Sequence, residues 1–271
     1  MNTLLMRKAA ADSSAAAPRA SRPGFPVLVW QIAAVAAFIG LWEYSATQRL
    51  IDPLFIGTPS RIAAYLYQNL FLTPKLVDDL LWTLAGTGIA FALGSLFGVG
   101  TGLLFVTYPR FELFCEPFFS ALNALPRIAL APLFLLWFGL GLASKVALGC
   151  SLTYFIVLSS TVAGARSVDR DFLTLARTLG ASPTKVFMRI TLISAIPTIF
   201  SGLRLGLIYA LLGVIAGEII AAQHGLGQQL AVLAGTFQID GVFAVLLILA
   251  LLGSGMMYGM TMLEKRLIRW R

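Results

Sequence analysis

The sequence predicts an all-α integral membrane protein with about six transmembrane helices. Of its 271 residues, 58% are hydrophobic and 12% charged, and the mean hydropathy is +0.86, a composition far too apolar for a water-soluble domain. The apolar residues also fall into six runs, each near the ~20 residues that a bilayer core requires. The formal net charge of +8 sits beside those runs, a pattern that belongs to membrane orientation rather than to a nucleic-acid surface.

Residues 1–26, rich in Ala, Ser, Pro and Arg, cannot bury a core and are expected to be a disordered tail, with residues 27–271 forming the transmembrane domain. Small-residue patterns such as Ala15-Ala16-Ala17 precede the first apolar run instead of following it, so that run is expected to stay in the membrane. The spans are expected at Val27–Ala46, Leu80–Thr107, Phe114–Phe138, Lys145–Ala163, Thr198–Ala222 and Val242–Leu263. The second is the cleanest, with no charged residue between Asp79 and Arg110. The third is interrupted by Glu116, Pro117, Pro126, Arg127 and Pro132.

Orientation follows from the cations. With the first tail in the cytoplasm, the inner side receives Arg7, Lys8, Arg19, Arg22, Arg110, Arg166, Arg170, Arg177, Lys185, Arg189, Lys265, Arg266, Arg269 and Arg271, fourteen of the 20 Lys and Arg. Only Arg49, Arg61, Lys75 and Lys145 fall outside, and Arg127 and Arg204 lie within spans. Both termini, and the charged segment around residues 165–197, are therefore expected in the cytoplasm.

That segment has its own grammar. Asp169 or Asp171 can cap a short helix showing Phe172, Leu175, Ala176 and Leu179 on one side, and Gly180 suits its end. Ser182 and Pro183 are suited to the N-cap and first position of a second helix running through Val186, Phe187 and Ile190. Two helices meeting at a tight turn of small residues form a knuckle that can enter a groove on a partner. An ordinary connector carrying inner-side charge has the same spacing.

Charges inside the spans are candidates for function. Arg204 and Glu218 lie 14 positions apart in the fifth span, close to four turns, so both are expected on one lipid-averted side, about 21 Å apart along the axis. They are either pathway or gate residues, or else Arg204 reaches the inner interface while Glu218 bonds a neighbouring helix. Arg127, between Pro126 and Pro132, sits where a broken helix can line a cavity, and its planar fork of donors suits an anionic solute. Gly94, Gly98 and Gly102, extended by Gly86 and Ala90, and Gly202, Gly206 and Ala210 form small-residue stripes for close helix packing. Cys115 and Cys150 lack metal-type spacing and are expected as small buried hydrophobes, and His224, the one histidine, as a solvated outer-loop residue.

The run LARTLGASPTKVF, with Ile190, Leu192 and Pro197, resembles the EAA loop of bacterial ABC importer permeases, the inner-membrane subunits that receive ATP-driven motion from a separate ATPase. Phe55-Ile56-Gly57-Thr58-Pro59-Ser60 resembles the element following that family's first span. Leu122–Val146 is similar to its third-span signature, and Gly202–Leu230 to its fifth span and the Gly-Leu-Gly loop beyond. The four blocks cover most of Phe55–Leu230 and resemble the nitrate/sulfonate/taurine subgroup. Two positions depart from the pattern: Thr174-Leu175-Ala176 stands where Glu-Ala-Ala is usual, and Leu192-Ile193 where Leu-Pro is usual.

The resemblance implies the type I ABC importer permease fold with a cytoplasmic coupling helix, a multi-pass protein of the bacterial inner membrane, and the carriage of a small, anionic, sulfonate-, taurine- or nitrate-like solute. It also implies a docking surface for the ATPase at Leu175, Ala176, Thr178, Leu179, Gly180, Ala181 and Ser182, a second copy of the chain, and a substrate-binding protein on the outer loops at Ile51–Asp79 and Gln223–Ile239. The chain carries no GxxxxGK[ST] phosphate loop, so ATP and Mg are expected on the partner ATPase and no catalytic residue or metal site on this chain. An ion-gradient-driven secondary transporter is the alternative; it would need intramembrane acids, and only Glu43, Glu116 and Glu218 lie in or near spans. An intramembrane enzyme lacks an HExxH pair or a nucleophile beside a base.

Overall fold

The structure is a computed structural model describing residues 25–73 and 75–267; every regular element among them is helical. The expected tail, apart from its last two residues, and the terminal cations Arg269 and Arg271 lie outside the described residues. The chain divides into two compact units, residues 1–53 and 54–271. In the first, α1 (Phe25–Thr47) is a single apolar helix of 23 residues, about 34 Å at 1.5 Å per residue and long enough to span.

In the second unit, α2 (Pro53–Ile56) and α3 (Pro59–Tyr67) lead through a π turn at Gln68–Leu72 into α4 (Lys75–Thr107). After α4 come α5 (Pro109–Ala124), a 3₁₀ turn at Arg127–Leu130 with α6 (Ala131–Phe138), and α7 (Leu142–Arg166). Two short helices, α8 (Arg170–Thr178) and α9 (Pro183–Val186), precede a π turn at Phe187–Thr191 and α10 (Leu192–Ile220). The chain closes with α11 (Leu226–Gly235) and α12 (Ile239–Leu267). Five helical stretches are long and apolar enough to cross a membrane, six if the bent pair around Pro126 counts as one.

That pair corrects the expected third span. Phe114–Phe138 is not one helix: α5 and the 127–138 segment meet at 84°. Pro126 cannot donate a backbone hydrogen bond, and the residue before a proline is pushed out of helical geometry. Leu125 is accordingly extended, with φ −66° and ψ 134°. The fifth span also differs, because helix runs unbroken from Pro183 to Ile220, with Pro197 inside it, instead of starting at Thr198. The loop expected at 223–239 contains α11.

The core is three tiers along α4, α7 and α10. Leu76, Leu226, Leu233 and Val245 fill one end, Ala90, Ala210 and Val214 the middle, and Ala165, Ala195 and Ile199 the other end. Small residues set this spacing, and both stripes act within the chain. A Cβ at Gly94 would lie 2.7 Å from Thr153 Cβ, and one at Gly206 2.9 Å from Val157 Cγ2; outside the stripe, one at Gly213 would lie 2.6 Å from Gly149 Cα. Here α4 packs on α7, and α7 on α10, almost backbone to backbone, where dispersion rather than water expulsion supplies the attraction. The element at Phe55–Ser60 is pinned to the start of α12, as Thr58 N–H donates to Asp240 Oδ1 at 2.9 Å.

Candidate functional site

The knuckle expected at residue 180 forms. Asp169 Oδ1 accepts from Asp171 N–H at 2.9 Å and caps α8. At the other end Gly180 N–H donates to the Arg177 carbonyl and Ala181 N–H to the Ala176 carbonyl, each at 3.0 Å. That paired closure needs a left-handed residue, and Gly180 supplies it with φ +79°. Ser182 then caps α9, its Oγ accepting from Lys185 N–H, with Pro183 in the first position. Leu175, Thr178, Leu179, Gly180 and Ser182 are exposed, and Ala176 and Ala181 are half-buried. Leu179 is 79% exposed, and with Phe172 and Leu175 it makes an apolar face left uncovered among the described residues. Thr174 holds the position where the resemblance pattern has glutamate and adds no charge there.

Glu218 is in a different setting, 1% exposed and enclosed by donors. Its carboxylate accepts from Gly227 N–H at 2.9 Å and from Thr83 Oγ1 at 3.0 Å. Thr83 Oγ1 in turn accepts from Leu226 N–H at 2.9 Å, and Asp79 Oδ1 accepts from Gly225 N–H at 2.8 Å. Three consecutive amides are thus captured by two spans. Gly225 has φ +112°, and a Cβ there would collide with the Glu218 carboxylate. Lys145, expected as an outer-side cation at the edge of its span, is instead 5% exposed, because α7 begins a turn earlier and its side chain packs on Gly217. His224 is exposed and stacks on Trp82 at 5.3 Å.

Arg204 does not share Glu218's neighbours. It is ion-paired with Glu264 of α12, while Glu218 faces Thr83 of α4. Arg127 sits at the break after α5, its guanidinium 4.1 Å above the Phe155 ring and bonded to the Asn123 side chain, with Nε unpartnered. Beside it, α4, α5 and α7 border an open cavity of about 400 Å³. Its polar wall is Glu112, Glu116, Ser120 and Asn123 of α5 with Ser159 and Arg166 of α7, and its rings are Phe105, Phe119 and Phe155. Arg166 is ion-paired with Glu112. None of Arg127, Arg204 and Glu218 lines this cavity. The sequence reading missed the wall, although Glu112, Glu116, Ser120 and Asn123 recur at spacings of four, four and three, one face of a helix. Among the described residues no group of three or more His, Cys, Asp or Glu could hold a metal ion, and Cys115 and Cys150 are free thiols.

A family model described as "Binding-protein-dependent transport system inner membrane component" matches residues 90–269. The formylaminopyrimidine transport permease protein ThiX of Halalkalibacterium halodurans is 35% identical over 85% of this chain and 91% of its own length. The taurine transport system permease protein TauC of Escherichia coli is 30% identical over 88% of each chain. Among solved structures, a chain of the inward-facing MetNI methionine ABC transporter matches with a TM-score of 0.63 at 18% identity, covering 72% of this chain and 97% of that one. At that identity the likeness is one of fold.

Proposed function

This chain belongs to the family of binding-protein-dependent transport system inner membrane components, and from that premise we propose that its knuckle at Gly180 converts a partner's nucleotide cycle into movement of the spans. The chain is an ABC importer permease with the type I fold, a multi-pass inner-membrane subunit of a family that is not itself catalytic. The observation that carries the coupling role is mechanical. An exposed apolar face at Phe172, Leu175 and Leu179 adjoins a helix that runs without interruption from Pro183 to Ile220. A force applied at residue 179 crosses the short turn at Gly180 and then reaches the packed core around Gly206 and Gly213 along that helix.

In this reading Leu175, Ala176, Thr178, Leu179, Gly180, Ala181 and Ser182 dock in a cleft of an ATPase that binds ATP and Mg. Two such ATPases serve two copies of this chain, and a substrate-binding protein delivers solute on the opposite face over residues 51–79 and 223–239. Both termini then lie on the ATPase side. The solute is small and carries an anionic group of the sulfonate, taurine or nitrate kind, for which Arg127, at the helix break after α5, is the first candidate contact. Glu218 and Arg204 act by holding: one ties the loop before α11 to α4 and α10, the other ties α10 to α12.

The test is uptake by proteoliposomes holding the chain with its ATPase and binding protein. Uptake that requires ATP, stops with vanadate and is lost in Leu179→Asp supports the reading. Uptake that persists without ATP and follows an ion gradient would assign the chain to the secondary transporters instead.

A further inference from the structure

Phe237, in the turn between α11 and α12, has φ +56° and is 72% exposed. It closes α11: its N–H donates to the Ala234 carbonyl at 3.2 Å, and the Gln238 N–H donates to the Leu233 carbonyl at 2.9 Å. That closure calls for a left-handed residue, a conformation that glycine adopts freely and a bulky side chain does not. Gly180 fills the same place after α8. Among the described residues the other non-glycine with a positive φ is Arg49, whose cation is favourable beside the last carbonyls of α1. Phe237 brings no charge, and its ring gains little burial among the described residues to offset the strain.

The backbone that carries it is firmly held. Gln229 Nε2 of α11 donates to Tyr65 Oη of α3 at 3.4 Å. A Cβ at Gly241 would lie 2.9 Å from Leu233 Cδ2 and 3.1 Å from Tyr65 Cζ, and Thr58 N–H is bound by Asp240. Thus α3, α11 and the start of α12 form one block. Phe55, 74% exposed, stands three residues before Thr58, as Phe237 stands three before Asp240. Lys265 and Arg266 mark the inner end of α12. The ~20 residues of a bilayer core, counted back from Glu264, end near Ala244, and Phe237 lies beyond them. Helix runs from Pro183, beside the knuckle, to Ile220, so the block lies at the end of the bundle opposite the knuckle.

We propose that Phe237 and Phe55 are aromatic anchors for the substrate-binding protein, with Phe237 kept in a left-handed backbone because that fixes the direction of its ring. The inference rests on the reading of this chain as a binding-protein-dependent importer and names the contact. Lipid would not call for such an arrangement: a fluid bilayer needs no fixed side-chain direction, and its interfaces favour Trp and Tyr, whose polar atoms reach water. A ring on a pre-formed block loses little freedom when a partner covers it.

The assembled transporter in lipid nanodiscs is titrated with its labelled binding protein, with and without ATP and vanadate, and its melting temperature is measured in the same preparation. Phe237→Gly relieves the strain, so its melting temperature is expected to equal or exceed that of the natural chain, while the dissociation constant for the binding protein rises at least tenfold. Phe237→Tyr, which keeps the ring, should retain docking, and Phe55→Ala should weaken it at unchanged melting temperature. Unchanged docking in Phe237→Gly overturns the assignment and leaves the ring to lipid. A lowered melting temperature in that variant also overturns it, since the ring would then serve the fold. Unchanged docking in Phe55→Ala removes Phe55 from the anchor. If the natural chain docks no binding protein in any of these states, the importer reading itself fails, not the choice of anchor.

Discussion

Thr83 and Glu218, 135 residues apart in sequence, meet at 3.0 Å inside the bundle, and between them they hold the amides of Leu226 and Gly227. Two spans and the loop at 221–227 are joined at that buried contact. Removing the carboxylate by Glu218→Ala would leave the Gly227 N–H and the Thr83 hydroxyl buried with one acceptor fewer. Each such orphan costs about 1–3 kcal/mol. The purified protein is expected to melt at lower temperature and to be cleaved more readily in the loop at 221–225. Transport lost at unchanged melting temperature would instead make Glu218 a gate.

Gly180→Ala is expected to act locally. A residue with a side chain at φ +79° is disfavoured by roughly 1–2 kcal/mol, yet nothing lies within 4 Å of the position to obstruct it. Insertion and melting temperature of the bundle should be unchanged while ATP-dependent uptake falls. A parallel fall in expression would show that the knuckle supports the fold itself.

Leu179→Asp changes a side chain that is 79% exposed, so it should leave melting temperature within experimental error. Co-purification with the ATPase is expected to drop at least tenfold, the range of an apolar anchor lost from an interface. Retention of the ATPase by the variant would move the docking surface elsewhere.

A glycine at the α7–α10 crossing should differ from one on an open face. Gly213→Ala puts a methyl against the Gly149 backbone and is expected to destabilise by about 1–3 kcal/mol through overpacking, read as a loss of melting temperature. Gly255→Ala, with nothing within 4 Å, is expected to be neutral. Equal effects at the two sites would mean that α7 and α10 are not in backbone contact.

What the sequence made legible divides along physical lines. Span positions and the knuckle depend on local composition and on caps within a few residues, so Asp169, Gly180, Ser182 and Pro183 could be read directly. The 84° break depends on Pro126, which was visible, but its angle depends on the packing of the segments after it. The partner of Arg204 lies 60 positions away in the chain, and those of Glu218 lie 135 positions away at Thr83 and nine away at Gly227, and helical spacing within α10 says nothing of which neighbour each one meets. The polar face of α5 was present as a spacing, but it became a cavity wall only once α7 supplied the facing side.

The most direct measurement is cross-linking from the knuckle. A thiol at Leu179→Cys, in a protein with Cys115→Ser and Cys150→Ser, is treated with a short bifunctional maleimide in inside-out membrane vesicles containing the whole transporter. The account predicts a single adduct between this chain and its ATPase, with a yield that changes when ATP and vanadate are added. A thiol that reacts only from the opposite face of the membrane, or that never links to an ATPase, would contradict it.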